Sequence, residues 1–131
     1  MPQYPYAPYN ADLGAIVTLS AATANGNSAL QTNGTARGAK IVIDITAMTG
    51  TSPTLTVTVE GYDSASQKYY TILASAALTT TGTTELSVYP GGPVTSNVAA
   101  NSSLPLNWRV AYALGGTTPA VTATIGVQML V

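Results

Sequence analysis

The sequence predicts an all-β fold: a single β-sandwich or jelly-roll-like domain behind an extended N-terminal arm. Three observations lead there. Apolar and polar residues alternate with a period of two in one short segment after another, the spacing that sets one side of a strand on a core and the other in water. Turn formers (Asn-Gly, Gly-Gly and Pro/Gly/Ser clusters) punctuate those segments at roughly 8–15-residue intervals, as in sandwiches and jelly rolls. No stretch sustains the 3.6-residue period of an amphipathic helix.

Residues 1–12 are expected to form the arm, with Pro2, Pro5 and Pro8 at every third position and Tyr4, Tyr6 and Tyr9 between them. Proline at that spacing favours an extended polyproline-II path without internal hydrogen bonds. Tyrosine adds contact area at modest entropic cost, so Tyr4, Tyr6 and Tyr9 are candidate contacts to a neighbouring subunit. The domain is assigned to residues 13–131. Residues 13–20 (LGAIVTLS) read as its first strand, followed by turn signals at Asn25-Gly26 and Asn33-Gly34.

Residues 40–46 place Ile41, Ile43 and Ile45 on one face; residues 54–60 do the same with Leu55, Val57 and Val59. Both read as strands, joined as a hairpin by a loop at 47–53 (AMTGTSP). Residues 68–74 (KYYTILA) are the next strand, then a Thr/Gly turn at 79–84 and a short strand at 85–89. Residues 90–103 (PGGPVTSNVAANSS) read as a long ordered loop or crossover. Residues 107–114 resume alternation with Trp108, Val110 and Tyr112 on one face. Gly115-Gly116 is expected to turn the chain into a last strand at 120–131, where Val121, Ala123, Ile125, Val127 and Met129 share a face.

Composition then narrows function. The chain has 131 residues, one domain's length. Only 7% of them are charged, four basic and five acidic, against about 25% in soluble domains. Polarity comes from 21 Thr, 10 Ser and 7 Asn, and much of the apolar content is small, with 20 Ala. With no His and no Cys, imidazole acid–base chemistry, thiol nucleophiles, disulfides and Cys/His zinc sites are excluded. Four cations are too few for a multi-phosphate footprint, so no nucleic-acid partner is expected. The uncharged runs are broken by Thr, Asn, Gly and Pro, so no membrane span is expected. MPQYPYAPYN lacks the basic and apolar regions of a secretory signal.

No catalytic constellation emerges, and no cofactor or metal is expected. Asp44 and Glu60 are the one pair of acids on neighbouring expected strands, but both fall on the outward, Thr-rich face, where charge guards a sheet against strangers. Gly34 to Lys40 (GTARGAK) looks phosphate-like, yet fails the P-loop spacing and precedes a strand. Asp12 and Asp63 are isolated, and the sequons at Asn33 and Asn101 read as chance. Trp108 reads as a core anchor. A carbohydrate platform would need Tyr69 or Tyr70 stacked beside it on an exposed face. Arg109 could pair with Glu60 or Glu85, or reach across a subunit interface.

The charge deficit is then the best clue, because interfaces are depleted in Lys, Glu and Asp and a free monomer ordinarily guards its edges with them. Residues 38–73, VYPGG (88–92), NVAAN (97–101) and LPLNWRVAY (104–112) resemble small β-rich virion structural proteins of tailed bacteriophages. The resemblance is one of strands and loops and covers a little over half the chain. It implies a non-enzymatic virion component on the capsid surface, a decoration (cement) or minor structural protein. Its implied partners are the major capsid protein and its own copies, commonly as trimers. A tail or head-fibre component contacting the host, and a carbohydrate-binding module, are the competing readings.

Overall fold

The computed structural model describes residues 11–131, so the expected arm tyrosines Tyr4, Tyr6 and Tyr9 lie outside the described residues. Eight strands follow: β1 (Ala11–Ala22), β2 (Gly26–Asn27), β3 (Gln31–Thr32), β4 (Gly38–Asp63), β5 (Lys68–Ala74), β6 (Gly82–Val88), β7 (Ala99–Ala100) and β8 (Asn107–Leu130). Among the described residues there is no helix, and the fold is all-β. Hydrogen bonds join the strands into one sheet of order β1-β8-β4-β6-β7, with β2 and β3 also on β8 and β5 on β4. Among the described residues only the β6–β7 pairing is parallel. Ala11 and Asp12 belong to β1, opposite Met129 and Gln128.

The spine of the sheet is a ribbon of its two longest strands. β4 and β8 run antiparallel from Gly38 opposite Leu130 to Gly61 opposite Trp108. Two expectations are corrected by that pairing. Residues 47–53 are not a hairpin loop, and Gly115-Gly116 does not reverse the chain. Segments 40–46 and 54–60 lie in line within β4, each paired with β8 and not with the other.

The reason lies in what turn-forming residues tolerate. Gly50 and Ser52 in β4, and Gly116 and Thr118 in β8, all have positive φ, at 116°, 49°, 97° and 46°. Such residues can close a turn, but they also accommodate β-bulges, and the partner strand decides which. Here the two sets face each other, since Thr49 pairs with Ala120 and Thr51 with Thr117. The register slips at 45/47, 49/51 and 51/54. Both strands therefore bulge together, and the ribbon bends instead of ending. The fit is tight: a Cβ on Gly50 or Gly116 would press on backbone carbonyls of the opposing strand.

The bend divides the ribbon into two arms that share one apolar cluster. In the first arm (38–46 with 120–130), β1 and β6 flank the ribbon. Ile41 and Ile43 are fully buried there, packed with Leu86, Val88, Ile125 and Val127. In the second arm (54–63 with 107–115), the flanking strands are β5 on one side and the two-residue β2 and β3 on the other. Leu55, Val57, Val59, Trp108 and Val110 are all at 0% exposure. Each large side chain so buried contributes about 1.5–3 kcal/mol. The alternation read from the sequence predicts these inward faces correctly in both arms.

Candidate functional site

One polar cluster lies on the outer face of the second arm. Glu60 and Arg109 are opposite one another in the β4–β8 register, on the face away from the core. Their proximity brings the Arg109 Nε–H to donate to Glu60 Oε1 at 2.7 Å, with both side chains only about a fifth exposed (22% and 19%). The guanidinium also lies over the ring of Tyr69, 3.4 Å from its centroid. Tyr69 is paired in register with Tyr62, and their rings sit 4.9 Å apart at a tilt of 54°. Of the two pairings open for Arg109, the structure thus has Glu60. Glu85 instead pairs with Lys40, at 3.6 Å.

The cluster brings one carboxylate, one guanidinium and two tyrosine rings together, with Glu60 engaged by Arg109. Asp44 is in the other arm and accepts a hydrogen bond from Thr83 Oγ1 at 3.3 Å, so the two carboxylates share no site. Asp63, fully exposed at the β4–β5 turn, accepts from the Ser66 hydroxyl at 2.7 Å and from the Ser66 and Ala65 amides. These bonds, the hydroxyl's first, hold its carboxyl below the usual carboxylate range. Among the described residues no three acidic, His or Cys side chains gather to hold a metal ion.

Trp108 is at 0% exposure, as expected of a core anchor, and its indole N–H has no hydrogen-bond partner. It pairs across the ladder with Gly61, whose missing side chain leaves room for the ring of Tyr70; a Cβ there would collide with that ring. Tyr69 is covered by Arg109 on the opposite face. Neither tyrosine therefore forms an exposed platform with the tryptophan.

Two buried serines were not singled out by the sequence. Ser75 donates its amide to Val57 O at 2.8 Å and accepts the Val57 amide on its own Oγ at 3.0 Å. Ser28 does the same with Val110, at 2.7 and 3.0 Å. Each hydroxyl stands in for a backbone carbonyl where the flanking strand stops. A lone small polar residue beside a strand end, as in NSAL and ASAA, was the available signal. Asn33 is buried too: it donates to Ala36 O and Leu104 O and accepts the Ala36 amide, which ties the 33–36 turn to the 104 segment.

The remaining contact surface consists of open edges and exposed apolar side chains. Among the described residues β1 pairs only with β8 and β5 only with β4, so each has one unpaired side. Val94, Val98 and Leu106 are exposed at 74%, 48% and 62%. No family model, no curated protein and no solved structure matches this chain.

Proposed function

We propose that the protein is a non-enzymatic structural component of a virion, a capsid decoration protein that works through contacts with major-capsid subunits and with its own copies. The observation that carries this reading is a neutral contact surface. Among the described residues β1 and β5 each keep an unpaired edge, and Val94, Val98 and Leu106 stand exposed on a chain with nine charged residues. Four of those nine are spent on pairs within the chain, Glu60 with Arg109 and Lys40 with Glu85. Edges of this kind invite β-pairing unless something covers them. β1 is bulged at three places along its register, which limits pairing there. β5 has one such irregularity and a single charge, Lys68, and the Asn97 side chain caps its outer side at Ala74 O (2.9 Å), which leaves the rest of that side open.

Modest contacts of this type add through symmetry, so weak single sites suffice for a shell-wide assembly. Such holding is apolar and backbone-mediated and should tolerate salt, unlike charge-steered association. Sedimentation of the full chain at low and high salt tests it. The expected result is the same oligomer, a trimer, at both. A monomer at every concentration, or an oligomer that dissolves as salt rises, would overturn the neutral-contact reading.

A further inference from the structure

On the outer face of the second arm, donors and acceptors are held in place with part of their bonding capacity unused. Glu60 and Arg109 are opposite across the β4–β8 ladder, Tyr62 and Tyr69 across the β4–β5 ladder, and Thr71 stands opposite Glu60 on β5. Arg109 is anchored twice: its Nε–H donates to Glu60 Oε1 at 2.7 Å, and its guanidinium lies 3.4 Å from the centroid of the Tyr69 ring. Glu60 Oε2, the Arg109 Nη groups and the hydroxyls of Tyr62 and Tyr69 have no hydrogen-bond partner among the described residues. Tyr69 keeps 36% of its surface exposed even with the guanidinium against it. The other ion pair, Lys40–Glu85, is longer at 3.6 Å, more exposed, and stacks on no ring among the described residues.

We propose that this cluster is a binding site for a neutral saccharide. Charge gives the first reason. A carboxylate and a guanidinium in direct contact carry no net charge, so an anion is repelled by Glu60 and a cation by Arg109. A wholly apolar partner would cover Oε2 and the Nη donors without satisfying them, at a cost for each. A sugar hydroxyl both donates and accepts, so two neighbouring hydroxyls on one ring can donate to Glu60 Oε2 and accept from Arg109 Nη together. Bonds to charged groups are the stronger kind. The C–H face of the sugar supplies the apolar contact for which the two tyrosine rings provide surface. Tilted at 54°, those rings are no flat platform for a long chain, and they suit one sugar ring at a time. Trp108 takes no part, being buried on the other face. The mutual anchoring of Glu60, Arg109 and Tyr69 is already made, so binding costs little further ordering. This inference is independent of the virion reading.

Titration of the isotope-labelled full chain with cellohexaose, maltohexaose and chitohexaose, followed by amide chemical shifts, tests it. At least one of the three should shift Glu60, Tyr62, Tyr69 and Arg109 and leave Ile43 in the first arm in place, with a Kd of about 1 mM or tighter. Because the site is neutral, that Kd should be the same at low and high salt. Tyr69→Leu should weaken binding at least about tenfold, as loss of a central aromatic contact does. Arg109→Lys should weaken it severalfold, since lysine keeps the charge and loses the planar fork. Both variants should keep the fluorescence of a buried Trp108; if one does not fold, the other still reads the site. No shift with any of the three sugars overturns the proposal, as do shifts confined to other residues or variants that bind like the native chain. Binding that falls steeply with salt, or a heparin hexasaccharide that binds more tightly than all three, makes this an anion site and overturns it too. An oligomer altered by Tyr69→Leu while no sugar binds assigns the cluster to a subunit contact instead.

Discussion

The two arms of the β4/β8 ribbon share one backbone pairing but are closed along their sides in different ways. The first arm is flanked by long neighbours: β6 pairs residue for residue from Ala39 to Ile45, and β1 follows β8 from Met129 to Val121. Its ladder is completed mostly by backbone, with one side-chain acceptor, Thr122 Oγ1, taking the Ala21 amide at 3.0 Å, and its buried side chains are aliphatic. The second arm has only β2, β3 and a bulged β5 beside it. There, side-chain oxygens complete the ladder: Ser28 and Ser75 Oγ accept from Val110 and Val57, and Asn25 Oδ1 accepts from the Leu114 amide at 2.9 Å. A buried amide left without an acceptor costs about as much as a lost hydrogen bond, so short flanking strands demand such substitutes. The second arm also holds the single tryptophan and the Glu60–Arg109–Tyr69 cluster, so its specificity comes from individual side chains where the first arm's comes from repetition.

The largest test of that difference is Trp108→Ala. It should cost about 3–5 kcal/mol in urea unfolding, the usual range for emptying a buried aromatic site. Ile43→Val, one methyl removed from the aliphatic arm, should cost about 0.5–1.5 kcal/mol. A tryptophan loss no larger than the isoleucine one would show that the second arm does not depend on its anchor.

Next in size are the two serines. Ser75→Ala and Ser28→Ala should each cost about 1–3 kcal/mol, because each leaves a buried amide without its acceptor. Hydrogen exchange should rise at Val57 in the first variant and at Val110 in the second. The exposed Thr124→Ala in the first arm should stay within about 0.5 kcal/mol. If the serine variants behaved like Thr124→Ala, side-chain closure of the second arm would be decoration.

The same contrast explains what could be read in the sequence. Alternation identified Ile41, Ile43 and Ile45, and Leu55, Val57 and Val59, because burial on one face of a sheet imposes a period of two wherever the strand goes. It could not say that both triplets belong to one strand. Gly50, Ser52, Gly116 and Thr118 serve a turn or a bulge equally well, and the choice was made by pairing between residues some 70 positions apart (Thr49 with Ala120, for instance). The site was less legible still. Glu60 and Arg109 meet through the same long-range register, and a serine that replaces a carbonyl leaves no periodic trace.

The smallest expected effects separate the two arms by their ion pairs. In the first arm Lys40 Nζ stands 3.6 Å from Glu85 Oε1, with side chains 37% and 59% exposed. An exposed pair held that loosely contributes about 0–1 kcal/mol and is screened by salt. In the second arm the Glu60–Arg109 bond is shorter and sheltered, and the guanidinium gains a further attraction from the ring of Tyr69. Arg109→Met should therefore cost about 1–2 kcal/mol, above the exposed range and below that of a fully buried pair. Lys40→Met should cost less than about 1 kcal/mol and become neutral at high salt, whereas most of the Arg109 loss should persist there. Equal losses, or an Arg109 effect erased by salt, would mean that the cluster on the second arm is merely a surface pair and that its tyrosines are not held in place by charge.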